Sequence, residues 1–166
     1  KGRAVVFENH QDLMNRIDDP NLEVSQDDVL VMKNSGPIGA PGMPEWGFMP
    51  LPKKLLAKGI RDMVRISDAR MSGTAFGTVV VHVSPESVKG GVFSAIRDGD
   101  IIEIDVPNRK IELLVETDEL EIRLVDFELP VTVNPRGFKW LYAQHITQAD
   151  KGCDFDFLES VEMTEM

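Results

Sequence analysis

The density of glycine and proline in residues 35–52 constrains this chain more than any other feature of its sequence. The segment contains Gly36, Pro37, Gly39, Pro41, Gly42, Pro44, Gly47, Pro50 and Pro52. Neither a helix nor a strand ladder is expected there, because proline removes a backbone donor and glycine weakens regular structure. Long irregular connections are uncommon in compact domains and, when ordered, usually bind ligands or carry active sites. We therefore expect residues 35–52, the Gly/Pro loop, to carry function.

A second loop, the small-residue loop of residues 67–77, joins two apolar segments and contains Ser72 and Thr74, with Asp68 and Arg70 nearby. In an extended loop, side chains two residues apart point the same way, so both hydroxyls would face one pocket. Alternatively, Ser72 is only a helix cap or turn residue. A serine that acts as base or nucleophile needs an adjacent base or cation, and no Ser-His-Asp order is legible.

Elsewhere the hydrophobic pattern predicts short strands and short helices. The predicted strands are residues 3–7, 28–33, 63–66, 78–83, 101–106 and 110–115, the last two forming a hairpin. The predicted helices are residues 10–17, 53–58, 117–124 with Thr117 as N-cap, and 138–147. Strands and helices do not alternate regularly, which favours an α+β domain built round a barrel-like sheet over a doubly wound one.

Length and charge restrict the class of protein and its partners. The 166 residues suit one domain, and no apolar run approaches the roughly 20 residues of a membrane helix. The net charge of −10 repels phosphate backbones, so neither nucleic acid nor an anionic membrane is an expected partner. The chain begins at Lys1 on strand-like residues without a signal sequence, and we expect it to be cut from something longer.

Cys153 is the only cysteine. One thiol allows no internal disulfide, no thiolate zinc site and no iron–sulfur cluster ligated by this chain alone. A reducing, cytoplasmic setting fits this count, and an inert thiol is the expected state of Cys153.

Glu45 is the one carboxylate within the Gly/Pro loop. The loop lacks the Gly-Lys-Ser/Thr ending of a phosphate-binding loop and is no dinucleotide fingerprint, so a nucleotide site is not expected. Two interpretations of Glu45 remain: a solvated loop acid, or one oxygen ligand of a hard cation such as Mg²⁺.

The three histidines are ambiguous from sequence alone. His82 is expected in the middle of a strand, as a hydrogen-bonded core or pocket-edge residue, and His10 at the surface where a helix starts. His145, on the last predicted helix, fits either a structural or a functional role.

The two loops together resemble those of the dihydroxy-acid and sugar-acid dehydratases. The resemblance rests on residues 36–45, 67–77 and 82–86, and it extends over residues 97–100 and the hairpin at 101–115. It covers essentially the whole chain and implies the C-terminal domain of such an enzyme, with a swivelling β/β/α barrel similar to the mobile domain of aconitase.

The resemblance also implies a reaction, in which a 2,3-dihydroxy acid loses water to give a 2-keto-3-deoxy acid. It makes Glu45 a Mg²⁺ ligand, Ser72 the base at C2, Thr74 its neighbour and His145 a substrate contact. The cysteine ligands of the iron–sulfur cluster and the other Mg²⁺ ligands would belong to an N-terminal domain absent from this chain. The isolated chain is therefore expected to be inactive, and the full-length protein to form a homo-oligomer.

Within the family, residues 67–75 and 148–158 look most like the sugar-acid branch, so an aldonic acid is the leading substrate. The branched-chain dihydroxy-acid dehydratases are the alternative, and their alkyl substrates would prefer a more apolar pocket. A non-catalytic module that binds small anions or a partner protein through the Gly/Pro loop is an alternative of another class.

Overall fold

A computed structural model describes residues 1–128 and 136–158. Its strands are β1 (Gly2–Phe7), β2 (Val29–Met32), β3 (Val64–Ser67), β4 (Val79–Val80), β5 (Ile101–Asp105) and β6 (Lys110–Leu113). Its α-helices are α1 (His10–Arg16), α2 (Lys53–Leu56), α3 (Val92–Ala95), α4 (Thr117–Val125) and α5 (Phe138–His145), and 3₁₀ turns form at Ser87–Lys89 and Ala149–Lys151.

The strands form one mixed sheet in the order β4-β3-β2-β1-β5-β6. Strands β1 to β4 are parallel, with Val5 opposite Leu30 and Leu30 opposite Arg65. The hairpin of β5 and β6 joins the other side of β1 antiparallel, with Gly2 opposite Ile102. The sheet curls into a half-barrel. This mixed architecture agrees with the α+β prediction, and the hairpin is confirmed.

Residues 4–7 of β1 and all of β2 are buried on both faces, which explains why these stretches are continuously apolar. Alternate side chains enter two separate clusters, because the side-chain period of a strand is two residues. Val5 and Phe7 pack with Leu13 of α1 on one face. Ala4 and Val6 pack with Phe93 of α3 on the other.

Three predicted details differ from the structure. The strand predicted at residues 78–83 is shorter: β4 ends at Val80, and His82 has a φ of +57°, a left-handed conformation that does not continue a ladder. Thr117 is the first residue of α4, and Glu116 precedes it as the N-cap. The last predicted helix ends at His145, because Ile146 is extended and bridges to Phe155.

Within residues 1–128 and 136–158, every helix is too short or too polar to cross a membrane.

Candidate functional site

The candidate site lies at one edge of the sheet, where the parallel strands end. Residues 33–52 follow β2, residues 68–78 follow β3 and residues 81–91 follow β4. Parallel strands release their following loops at the same edge, and this carboxyl edge is the usual place for ligands in such sheets. Both loops singled out in the sequence therefore come together at the carboxyl edge.

Arg70 connects the two loops. Its Nη2 lies 3.6 Å from Glu45 Oε1, and its Nε donates to the carbonyl oxygen of Met43. The backbone N–H of Gly47 donates to the Arg70 carbonyl over 2.8 Å, and a Cβ on Gly47 would lie 2.8 Å from that oxygen. The close approach therefore requires glycine at position 47. Glu45 is about half exposed, so its carboxylate stays open to a ligand.

Ser72 and Thr74 lie two and four residues beyond Arg70. The N–H of Ala75 donates to the Ser72 carbonyl over 3.0 Å, which closes a β-turn. Ser72 caps no helix, and its backbone matches the turn interpretation. Within the turn the two hydroxyl oxygens lie 3.0 Å apart, within hydrogen-bond distance of each other.

Two aromatic contacts connect the Gly/Pro loop to α1 and to the small-residue loop. His10 at the start of α1 stacks on Trp46, with ring centroids 4.3 Å apart, and burial lowers the pKa of the His10 imidazole. Phe48 contacts Phe76 at 5.6 Å and lies under the guanidinium of Arg65 at 4.7 Å. Trp46 and Phe48, which follow Glu45, are therefore each held by a contact with a residue outside the Gly/Pro loop.

His145 lies at the C-terminus of α5. Its Nδ1 is 2.9 Å from Asp156 Oδ1, and its ring packs edge-on against Phe157. The segment following α5 bonds to the loop after β4, because Gln148 contacts Glu86 and Asp150 accepts a 2.6 Å hydrogen bond from Ser84 Oγ. His145 is thereby carried on a segment attached to the carboxyl edge.

His82 is not the mid-strand residue that the sequence predicted. It is exposed, follows β4 with a positive φ and donates its backbone N–H to the Ala69 carbonyl over 3.0 Å. Its backbone therefore joins the loops after β3 and β4, and its imidazole is not a core group.

Two carboxyl groups in the loops of the carboxyl edge are buried, that of Asp68 after β3 and that of Glu86 after β4. Neither was given a role from the sequence. Asp68 is fully buried and accepts from the backbone N–H groups of Ser35 and Ser87, and from Ser87 Oγ, all at 2.9 Å. Burial raises the pKa of the Asp68 carboxyl, and the hydrogen bonds oppose that rise.

Glu86 is the second buried carboxyl group. It accepts from the N–H groups of Ile38 and Gly39, and from Gln148 Nε2 at 2.6 Å. Burial raises the pKa of the Glu86 carboxyl, and the nearby charge of Asp68 adds to the rise. In the sequence, Asp68 is marked only by its position after an apolar strand, and Glu86 only by its position after Pro85. Many exposed acids occur in the same positions, so the burial of these two could not be predicted.

The described residues form no complete metal centre. No group of three His, Cys, Asp or Glu side chains suited to a metal occurs within residues 1–128 and 136–158. The Glu45 carboxylate has the chemistry of one oxygen ligand of Mg²⁺, and a Mg²⁺ site there would need further ligands from outside those residues. Burial raises the pKa of the Cys153 thiol, with Glu86 and Asp150 adding to the rise. A single thiol does not fit an iron–sulfur cluster.

Comparison with curated proteins finds close relatives among sugar-acid dehydratases. The chain is 51% identical over 161 residues to 6-deoxy-6-sulfo-D-gluconate dehydratase of Pseudomonas putida, covering 97% of this chain and 28% of that protein. It is 52% identical over 159 residues to L-arabinonate dehydratase of Rhizobium leguminosarum bv. trifolii, covering 96% of this chain and 28% of that protein. Dihydroxy-acid dehydratase of Lactococcus lactis subsp. cremoris is 37% identical over 157 residues, covering 94% and 27%.

The chain thus spans 28% of the length of the first two of these relatives. The family model for the C-terminal region of dihydroxy-acid and 6-phosphogluconate dehydratases matches residues 1–153. This match covers nearly all of the described structure, including the carboxyl edge and its loops. The chain belongs to the dihydroxy-acid/6-phosphogluconate dehydratase C-terminal family.

Proposed function

We propose that the full-length protein is a hydro-lyase that dehydrates a sugar acid, and that this chain contributes one half of its active site. The observation that carries the proposal is the junction at Arg70, which brings the loop with Glu45 against the loop with Ser72. The names of the relatives that are 51% and 52% identical support the reaction class. The chain's share of those relatives supports a further, N-terminal part that completes the site.

In the proposed reaction a 2,3-dihydroxy acid loses the C2 proton and the C3 hydroxyl, and the resulting enol rearranges to a 2-keto-3-deoxy acid. Ser72 Oγ, in its ionised form, takes the C2 proton and returns it to the departing C3 hydroxyl, so that water leaves and the ionised serine is restored. The neighbouring Thr74 hydroxyl at 3.0 Å holds Ser72 Oγ by a hydrogen bond. His145 contacts the substrate. The exposed positions of Ser72 and Thr74 in the turn leave room for the substrate between this chain and the rest of the protein.

Glu45 is proposed as one ligand of Mg²⁺. The bound ion would supply positive charge that favours the ionised form of nearby hydroxyl and carboxylate groups. Arg70 holds the Glu45 carboxylate at 3.6 Å and adds a fixed positive charge two residues from Ser72. The iron–sulfur cluster that the family resemblance implies does not fit this chain, so its ligands are assigned to the N-terminal part and no step is derived from it.

The substrate is proposed to be an aldonic acid rather than a branched-chain dihydroxy acid. Three relatives named for sugar acids are 48–52% identical, more than the Lactococcus relative named dihydroxy-acid dehydratase at 37%, although D-xylonate dehydratase of Caulobacter vibrioides is also 37% identical. A polyhydroxy acid also suits the polar lining that Glu45, Arg70, Ser72 and Thr74 give the site, because each substrate hydroxyl needs a polar partner.

The remaining features of the proposal concern the full-length protein. We propose a cytoplasmic homo-oligomer in which this domain swivels against the N-terminal part, as the mobile domain of aconitase does. The isolated chain would then be inactive, because Glu45 alone cannot hold the ion and Cys153 alone cannot hold the cluster.

An anaerobic keto-acid assay tests the proposed function. The full-length protein, with iron and Mg²⁺ contents measured, is incubated with pentonates, hexonates, 6-phosphogluconate and a branched-chain dihydroxy acid. Turnover of a pentonate or hexonate supports the proposal, and turnover of only the branched-chain acid would assign the other branch. A fully loaded protein that turns over none of them would overturn the enzyme assignment and leave the anion- or partner-binding module.

A further inference from the structure

We propose that Glu86 is a positioning residue that holds the Gly/Pro loop with Glu45 and the C-terminal segment with His145 at fixed places on the carboxyl edge. The inference rests on the proposed function, because it assigns a purpose to the placement of those two side chains. Glu86 itself does not touch the substrate in this account. It acts through the backbone of one segment and through Gln148 of the other.

The contact with the Gly/Pro loop is made by backbone amides. The N–H of Ile38 donates to both carboxylate oxygens at 2.9 and 3.0 Å, and the N–H of Gly39 donates to Oε2 at 2.9 Å. Two turns transmit this position toward Glu45, since Ala40 N–H donates to the Gly36 carbonyl and Met43 N–H to the Ala40 carbonyl. The anchored amides thus fix the start of the loop that carries Glu45.

The contact with the C-terminal segment is reciprocal. Gln148 Nε2 donates to Glu86 Oε1 over 2.6 Å, and the backbone N–H of Glu86 donates to Gln148 Oε1 over 2.8 Å. Gln148 lies three residues after His145. One buried side chain therefore sets the relative position of two segments that are distant in sequence.

The packing around Glu86 is too tight for a side chain of a different shape. Its carboxylate is fully buried, and a Cβ on Gly36 would lie 2.7 Å from Oε2. The contacts described for Oε1 and Oε2 are all with N–H donors, which suits a carboxylate and not an amide. A glutamine at position 86 would turn an NH₂ group toward N–H donors and leave a buried donor unsatisfied.

The test compares three variants of the full-length protein. Glu86→Gln should disturb both segments, so the Mg²⁺ concentration for half-maximal activity and the KM for the aldonate should each rise about 10- to 100-fold, the range for partners that orient metal ligands. Gln148→Ala removes only the second contact, so KM should rise while the Mg²⁺ requirement stays within about twofold. Asn108→Ala, which removes a side-chain hydrogen bond to Asp105 in the turn between β5 and β6, is the control and should leave both parameters unchanged.

Hydrogen exchange supplies a readout that does not depend on activity. Exchange at the amides of Ile38 and Gly39 should accelerate at least tenfold in Glu86→Gln and remain at the wild-type rate in Gln148→Ala and Asn108→Ala, because only the first variant removes their acceptor. Glu86→Asp, which keeps the charge on a shorter side chain, should restore part of the protection and part of the Mg²⁺ response.

The outcomes separate this inference from the proposed function. If the wild-type protein is inactive on every acid but the amides respond as expected, the proposed function fails while the anchoring by Glu86 stands. If the protein is an active dehydratase and Glu86→Gln changes neither the Mg²⁺ requirement nor KM, the positioning role is wrong. If Glu86→Gln does not fold, Gln148→Ala decides: a change in thermal stability without a change in KM would overturn the role.

Discussion

Ser72 Oγ and Thr74 Oγ1 lie 3.0 Å apart within a β-turn that begins at Ser72. The turn holds the two hydroxyls together without any helix or strand to support it. Arg70, two residues earlier, fixes the turn against the loop of Glu45. The proposed base and the proposed metal ligand thus share one support, although they come from loops that follow different strands.

Removing the Ser72 hydroxyl should abolish turnover in the full-length protein. Ser72→Ala should lower kcat about 10²- to 10⁴-fold, the usual contribution of a positioned base, with iron and Mg²⁺ contents unchanged. Thr74→Val, which removes the neighbouring hydroxyl but keeps the shape, should lower kcat by only about tenfold. A Ser72→Ala protein with wild-type kcat would exclude Ser72 as the base.

Neutralising Glu45 should weaken the response to Mg²⁺ without unfolding the domain. We expect Glu45→Gln to raise the half-saturating Mg²⁺ concentration at least tenfold, because one charged oxygen ligand is lost, while thermal stability stays unchanged. The matched control is Glu112→Gln in β6, an exposed acid that also pairs with a cation, Lys110. Equal Mg²⁺ titrations for the two variants would make Glu45 a solvated loop acid.

Arg65 connects both loops to β3, and a lysine at this position cannot make the same set of contacts. Its buried guanidinium donates to the carbonyls of Met49 and Phe76 and to the carboxylate of Asp62, which a single ammonium cannot reproduce. Arg65→Lys should lower the local free energy of opening by about 1–3 kcal/mol, measured by hydrogen exchange of the β3 amides.

The control for this variant is Arg61→Lys. Arg61 is exposed and makes one described hydrogen bond, to the Leu56 carbonyl, so the change should stay within about 0.5 kcal/mol. Losses of the same size in the two variants would show that the contacts of Arg65 add nothing to the stability of the loops.

A methyl group at Gly36 should displace Glu86. A Cβ there would lie 2.7 Å from Glu86 Oε2 and 2.8 Å from Glu86 Cβ, and neither atom can move far in a buried site. Gly36→Ala should therefore lower the midpoint of thermal unfolding by several degrees, as expected for a loss of about 1–3 kcal/mol from overpacking. Gly73→Ala, where nothing lies within 4 Å of the added carbon, is the control and should unfold at the wild-type temperature. Identical midpoints for the two variants would contradict the tight fit.

The raised pKa of the Glu86 carboxyl makes stability depend on pH with a defined sign. Burial raises this pKa above the ordinary value of 4.5, so the folded protein takes up a proton more readily than the unfolded chain. The associated stability is fully present below pH 4.5 and is lost as the pH rises through the raised value. The midpoint of thermal unfolding of the wild-type protein minus that of Glu86→Gln should therefore rise as the pH falls from neutral toward 4.5. A difference that is constant with pH, or that shrinks on acidification, would contradict the raised pKa.

The sequence predicted the elements well wherever local chemistry decides them. The apolar runs of β1 and β2, the β5–β6 hairpin and the irregular Gly/Pro loop all follow from residue type and spacing. The strand at residues 78–83 was predicted too long because its apolar residues continue past the point where His82 adopts a left-handed backbone. That conformation depends on the bond to Ala69, which is a tertiary contact.

The site was predictable only in part, for a similar reason. The family resemblance singled out Glu45, Ser72, Thr74 and His145 as residues, and their roles remain predictions. Nothing in the sequence indicated that Glu86 is buried, because its three partners come from positions 38, 39 and 148. Burial of an acid is a property of the assembled loops and has no local signature.

The order of the strands also determines when the sheet can be completed. β1 lies in its interior, with β2 on one side and β5 on the other, and Gly2 is opposite Ile102. During synthesis the parallel part can assemble from the first eighty residues, but one side of β1 stays unpaired until residue 102 has emerged. Until then the backbone groups of Gly2 and Arg3 on that side of β1 lack their strand partner, so this part of the protein is most exposed to aggregation before its hairpin is synthesised.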